Sequence, residues 1–299
     1  CGVDLFILIS GYFLCTSNRR NLWKPVELIL QVIIFSFGLY LARGLVSRGT
    51  ISVKGIVTSL IPANYFVILY IAVYIISPFL NIIIQNLSDR EMRTFIIICL
   101  LLFSIYPTLI DVFNELTGNQ WNGLSTIGMY GSQWGYTIVN FLLMYMVGAY
   151  LRLSDFKIKK WKTGKMIGLW VVGIILLTMW AGLDMNTAWE YCNPLVILSS
   201  VLSFIMFSKI QIGTNKKVNK MAEGVFSIFL LHGVFLPYIG IKRAVTGNAI
   251  MMLLHILFSV VCISIGCLCI HFVYKWISKP IFRWLENKIV LPYIDLERQ

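Results

Sequence analysis

The chain has 299 residues, enough for two ordinary soluble domains. Yet 58% of it is apolar and only 13% is charged, against about 45–50% and roughly 25% in globular proteins. Its mean hydropathy is +0.80. A soluble fold cannot hide that much apolar surface, which excludes soluble nucleotide-binding and barrel enzymes. The net charge of +12 does not mark a nucleic-acid binder, because the basic residues sit in short segments between apolar runs. Of the seven cysteines, Cys99, Cys262, Cys267 and Cys269 lie inside apolar runs, where Cys acts as a small hydrophobe. No zinc-like spacing joins the cysteines to the three histidines, so no metal is expected.

Nine runs in chain order approach the roughly 20 apolar residues that a helical span needs. They are 1–15, 25–42, 62–86, 94–111, 136–151, 166–182, 191–208, 224–240 and 249–273. The expected architecture is therefore an all-α integral membrane protein, with a single polytopic domain over 1–299. The first run is short, begins at Cys1 rather than Met, and has no charged leader. One further helix is expected upstream, giving ten spans in the full-length protein. No internal repeat is visible, which weighs against an inverted-repeat transporter.

Charge sets the orientation. Alternate loops hold 20 of the 25 basic residues: Arg19, Arg20 and Lys24; Arg90 and Arg93; Arg152 with the lysines from Lys157 to Lys165; Lys209 to Lys220; and Lys275 to Arg298. The opposite loops hold only Arg43, Arg48, Lys54, Lys242 and Arg243. The positive-inside rule puts the first set and the C-terminus in the cytoplasm. A plasma (inner) membrane protein crossing many times is the expectation.

Five stretches then carry a resemblance. Gly2-Val3-Asp4-Leu5-Phe6-Ile7-Leu8-Ile9-Ser10-Gly11-Tyr12-Phe13-Leu14 is similar to the "VDLFFVISGYFL" signature of membrane acyltransferase family 3. Asn64-Tyr65-Phe66 through Tyr70, Tyr74 and Ser77-Pro78-Phe79-Leu80-Asn81 resembles its "WYLxxYIxLYLLSPFLN" helix, with Tyr65 where many members have Trp. Phe141 to Leu151, the helix with Asn193-Pro194-Leu195, and Phe226 to His232 resemble three later motifs in the family's order. The resemblance implies a ten-helix bacterial enzyme. It would move an acyl group, commonly acetyl, from cytoplasmic acyl-CoA to a hydroxyl of an envelope polysaccharide or glycolipid. It also implies that the main catalytic His lies on the helix before Cys1.

Acyl transfer to a hydroxyl needs a proton acceptor, donors for the oxyanion and a basic surface for the CoA phosphates. His232, in the last motif, is the candidate catalytic His of this chain; the alternative is a buried His bonded to a carbonyl. Arg19, Arg20 and Lys24 are the candidate acyl-CoA ligands, with Glu27 and Gln31 one turn apart just after Pro25 and Glu27 orienting an Arg. The alternative is plain inside charge. Asp4 and Ser10 are candidate substrate ligands on the first run, although an Asp there can be solvated at the interface and a Ser-Gly pair often serves close helix packing. Tyr70, Tyr74, Ser77 and Asn81 fall within about 60° on one helix face. That polar stripe lines a wet groove or bonds to other helices. Trp121 is a candidate acceptor platform in the outer segment from Asp111 to Gly135, with Asn122 and Trp134 near it, or part of an aromatic belt. His255 and His271 belong to no motif and are expected to cap or snorkel. A secondary transporter or flippase for a small polar solute is the rival function, since Asp4, His232 and the Tyr stripe suit it too.

Overall fold

The computed structural model describes residues 1–46, 51–119, 121, 135–154, 160–210, 213–240, 248–289 and 293–296. They fall into two compact units. Unit 1 is built from 1–22, 63–211 and 292–299, and unit 2 from 23–62 and 212–291.

Unit 1 begins with helix α1 (Gly2–Leu14) and strand β1 (Arg19–Asn21). Its other long helix, α4, is Tyr65–Asn86, capped by the Asn64 side chain on the Val67 amide. A capping box of Ser88 and Glu91 starts α5 (Asp89–Leu100). A π-turn, Leu101–Ile105, joins α5 to α6 (Tyr106–Thr117), and Gly118 ends α6 in the left-handed conformation. Then come α7 (Ile138–Leu153), α8 (Thr163–Leu183), the short α9 (Met185–Ala188) and α10 (Pro194–Ser208). Strand β2 (Tyr293–Asp295) pairs antiparallel with β1, Arg20 opposite Ile294. Unit 2 holds α2 (Trp23–Val46), α3 (Val53–Ser59), α11 (Lys216–Ala222), α12 (Val225–Phe235) and the 40-residue α13 (Ala249–Lys288).

Five of these segments are long and apolar enough to cross a membrane: Trp23–Val46, Tyr65–Asn86, Asp89–Thr117, Thr163–Leu183 and Ala249–Lys288. The pair Lys216–Ala222 and Val225–Tyr238, bent by 56°, makes a sixth if counted as one broken span. The architecture is all-α and membrane-type apart from the two short strands, but the expected nine spans are not reached among the described residues. The shortfall has a physical cause. Three of the expected runs form α1, α7 and α10, of 13, 16 and 15 residues. At 1.5 Å per residue they reach only about 20–24 Å, short of the ~30 Å hydrocarbon layer.

These short helices make the interior of unit 1. Eleven of the sixteen residues of α7 are buried. Helices α1 and α7 run parallel, since Asp4 bonds Asn140, Leu8 backs onto Gly148, and Tyr12 bonds Arg152. Glycines allow the approach. A Cβ on Gly11 would fall 2.0 Å from the Tyr145 carbonyl oxygen, and one on Gly148 would fall 2.1 Å from that of Leu8. The Gly of the Ser10-Gly11 pair thus serves close helix packing. Helix α4 follows the same direction, from the Phe6–Phe66 ring contact to Asn81 beneath Leu14. So does α10, where Ser200 bonds the Cys1 carbonyl and Phe204 lies against Tyr12. The N-termini of α4, α7 and α10 therefore share the Asp4 end of unit 1.

Candidate functional site

The two ends of α1 carry most of the buried polar chemistry of unit 1. At the C-terminal end, helix geometry leaves the last carbonyls without partners. Arg20, 2% exposed, supplies donors. Its Nη2 donates to the Leu14 carbonyl (2.9 Å), its Nη1 to those of Ser17 and Arg19 (2.8 Å each), and its Nε to Ser77 Oγ (2.7 Å). A cation is also favoured at a helix C-terminus. Asn81 Nδ2 donates to Leu14 and Ser17 (2.8 Å each), Tyr145 Oη donates to Asn81 Oδ1 (2.8 Å), and Gln85 Nε2 donates to Cys15 (3.0 Å).

The Ser77-Pro78 pair has a local reason. Pro78 lacks an N–H, so the Tyr74 carbonyl loses its helical donor. Ser77 Oγ takes that place at 2.8 Å and at the same time receives the Arg20 Nε–H. The polar stripe of α4 thus faces protein along its lower half. Tyr74 donates to the Asn21 carbonyl (3.3 Å) and lies 5.7 Å beneath the Arg20 guanidinium, while Tyr70 stacks between Phe66 and Tyr74. A substrate group at Arg20 or Asn81 would have to displace one of these bonds. Arg19 is more open and faces Asp295 at 3.8 Å.

The Asp4 end is built differently. Asp4 is 1% exposed, so it is not solvated at an interface. Asn140, equally buried, donates from Nδ2 to Asp4 Oδ1 (3.2 Å). Asp4 Oδ2 and Asn140 Oδ1 have no hydrogen-bond partner. Both are acceptor atoms, on two side chains bonded to each other, in a place where an unmet polar group is costly. Thr137 caps α7 and fixes the turn that carries Asn140. Tyr65, Tyr136 and Tyr191 form an aromatic cluster at the same helix ends, with centroids 4.5 and 4.8 Å apart. Gly135 (φ +75°) permits it, because a Cβ there would meet the Cys192 amide at 2.4 Å. Ser10 is turned away from this pair and donates to the Phe6 carbonyl (3.0 Å).

The remaining expected residues lie elsewhere. Trp121 is exposed, is held by Asn114 through both its backbone groups, and lies against Phe113. Asn122 and Trp134 fall outside the described residues, as do Arg48, Lys157, Lys159, Lys242, Arg243 and Arg298 of the charge pattern. In unit 2, Lys24 sits in the first turn of α2, and His232 is exposed on α12. His232 Nδ1 donates to the Phe229 carbonyl at 2.7 Å, which leaves Nε2 as the basic nitrogen when the ring is neutral. His271 does not snorkel: it is buried, and its Nδ1 is 2.7 Å from Ser227 Oγ.

Sequence reasoning missed Asn140 and His271. Each is a polar residue within an apolar run, three or four residues from another polar side chain (Thr137, Lys275), and that spacing was the available signal.

A comparison with known families decides between enzyme and transporter. The family model described as an acyltransferase domain, that of membrane acyltransferase family 3, matches residues 1–272. The chain belongs to this acyltransferase family. It is accordingly a multi-pass membrane transferase of acyl groups other than amino-acyl groups. No curated protein and no solved structure matches it.

Proposed function

We propose that the chain moves an acyl group, acetyl by expectation, from cytoplasmic acyl-CoA to a hydroxyl of a bacterial envelope polysaccharide or glycolipid. In the reaction the hydroxyl oxygen attacks the thioester carbonyl, the C–S bond breaks, and the hydroxyl proton ends on the departing thiol. The observation that carries the reading is the buried pair of open acceptors, Asp4 Oδ2 and Asn140 Oδ1. Two acceptors on side chains bonded to each other suit hydroxyl donors of the acceptor molecule, with Asp4 drawing on the proton that must leave. Three helix N-termini at this end favour negative charge on the developing oxyanion. Tyr65, Tyr136 and Tyr191 present ring faces to a sugar, and Tyr70 and Tyr74 continue that aromatic line along α4.

At the Leu14 end of unit 1, Arg19 is the proposed contact for a CoA phosphate; Lys24, in unit 2, is proposed separately as a second one. Arg20 and Asn81 hold the turn that presents Arg19. His232, in unit 2, is through Nε2 the alternative proton acceptor to Asp4. The charge asymmetry supports a cytoplasmic C-terminus and an inner-membrane location.

Labelled acetyl-CoA supplied to the protein in proteoliposomes with envelope glycan tests this reading. Label should enter the glycan, and Asp4→Asn should lower the rate by about 100-fold or more, the range of a lost acid–base contribution. Solute flux without acyl incorporation would sink the proposal.

A further inference from the structure

Unit 2 contains a polar cavity of about 410 Å³ lined by none of the residues to which the proposed function assigns a role. One wall is the end of α13, where His271, Lys275, Lys279 and Arg283 follow at four-residue steps and so share a face. Glu27, Glu223 and Glu286 complete the charged lining. Helix α13 carries no charged residue from Ala249 to Tyr274, about 39 Å of helix. That covers the ~30 Å hydrocarbon layer, so the cavity sits where lipid headgroups lie.

Two observations set it apart from an ordinary charged helix face. The first is His271, 6% exposed. Gln31 Nε2 donates to Ser227 Oγ (2.8 Å), and that oxygen is 2.7 Å from His271 Nδ1. Ser227 Oγ has lone pairs for both Gln31 and Nδ1 as well as a proton to give; with Ser227 donating to Nδ1, or with the ring protonated at both nitrogens, Nε2 presents an N–H to the cavity. Nε2 itself is buried and has no partner. Gly224 makes the arrangement possible: a Cβ there would meet Leu268 at 2.3 Å and the His271 ring at 3.3 Å.

The second observation is charge separation. Lys275 is paired with Glu223. Lys279, Arg283, Glu27 and Glu286 line the same cavity, yet none of the four is in an ion pair among the described residues. Glu27 feels the charges of both Glu286 and Lys24. Two open cations and the unpartnered His271 Nε2 thus share one cavity with Glu286 and with Glu27, whose carboxylate also takes a hydrogen bond from Trp23.

We propose that this cavity binds the headgroup of an ethanolamine phospholipid. The phosphate oxygens accept from His271 Nε2, Lys279 and Arg283. The primary ammonium donates to Glu27 and Glu286. A glycerol headgroup offers no cation to the carboxylates, and a choline headgroup has no N–H to give them. CoA brings phosphates but no ammonium.

The test is native mass spectrometry of the full chain in phosphate-free maltoside micelles. Phosphatidylethanolamine, phosphatidylcholine and phosphatidylglycerol with matched acyl chains are added in turn, and then CoA. Phosphatidylethanolamine should be retained at least about ten-fold more tightly than the other two lipids, with CoA unable to displace it. Lys279→Ala with Arg283→Ala should remove about ten-fold of that affinity, and Glu27→Gln with Glu286→Gln should abolish the preference over phosphatidylglycerol. Size-exclusion profiles identify any misfolded variant, and the lipid ranking on the unaltered protein stands without the variants. Equal retention of the three lipids, tighter phosphatidylglycerol, displacement by CoA, or folded variants with unchanged selectivity would overturn the proposal.

Discussion

The two ends of α1 face the same problem, polar groups shut away from water, and solve it in opposite ways. At the Leu14 end, the orphan carbonyls are met by Arg20, Asn81 and Gln85, and the acceptor on Asn81 is met by Tyr145. At the Asp4 end, two acceptor oxygens stay open on side chains bonded to each other. A closed network fixes shape, because each member leaves another unsatisfied if removed. An open pair costs stability in the resting protein and is met by what enters the site. The comparison separates scaffold from chemistry along thirteen residues of one helix.

Mutations sharpen the contrast, the largest effect coming where the two ends share a support. Gly148→Leu should destabilise by about 3 kcal/mol or more, because the side chain collides with the backbone of α1. Detergent-solubilised yield and thermal unfolding would report it, and activity should fall in step with the folded fraction. Arg20→Met should cost about 2–3 kcal/mol by stranding carbonyls and Ser77. Arg20→Lys should fail to restore this, since an ammonium cannot reproduce the guanidinium fork; an unchanged melting temperature in both would remove the scaffold role. Tyr145→Phe should cost about 1 kcal/mol, one neutral hydrogen bond to Asn81. At the other end, Asn140→Leu deletes an unmet acceptor but strands Asp4 Oδ1, so it should cost about 1 kcal/mol or more, while lowering transfer at saturating acyl-CoA.

Much of the fold was legible in the sequence for the reason that bilayers are demanding: long uncharged runs have one stable use. Each of the nine runs is helical in the structure. Length was the part that failed, since α1, α7 and α10 are as apolar as true spans and differ only by stopping early. Their role shows in Gly11 and Gly148, which matter only as a pair from distant segments. The site was half legible. Asp4 stood out as a carboxylate in an apolar run, but its partner Asn140 is 136 residues away and has no charge to mark it. Arg20 read as an acyl-CoA ligand or plain inside charge, because its burial comes from a fold that brings carbonyls to it. The Ser77-Pro78 pair could have been read further: a proline in a helix frees a carbonyl, and the serine before it is placed to answer.

The most direct measurement is Asp4→Asn, made in the protein reconstituted in proteoliposomes, with unfolding temperature and acyl transfer recorded on one preparation. The amide is nearly isosteric, and its new N–H can meet Asn140 Oδ1. The account predicts a melting temperature equal to or above that of the parent and transfer lower by about two orders of magnitude or more. A variant that melts early yet transfers acyl groups at the parental rate would contradict it, and would move Asp4 from the chemistry to the scaffold.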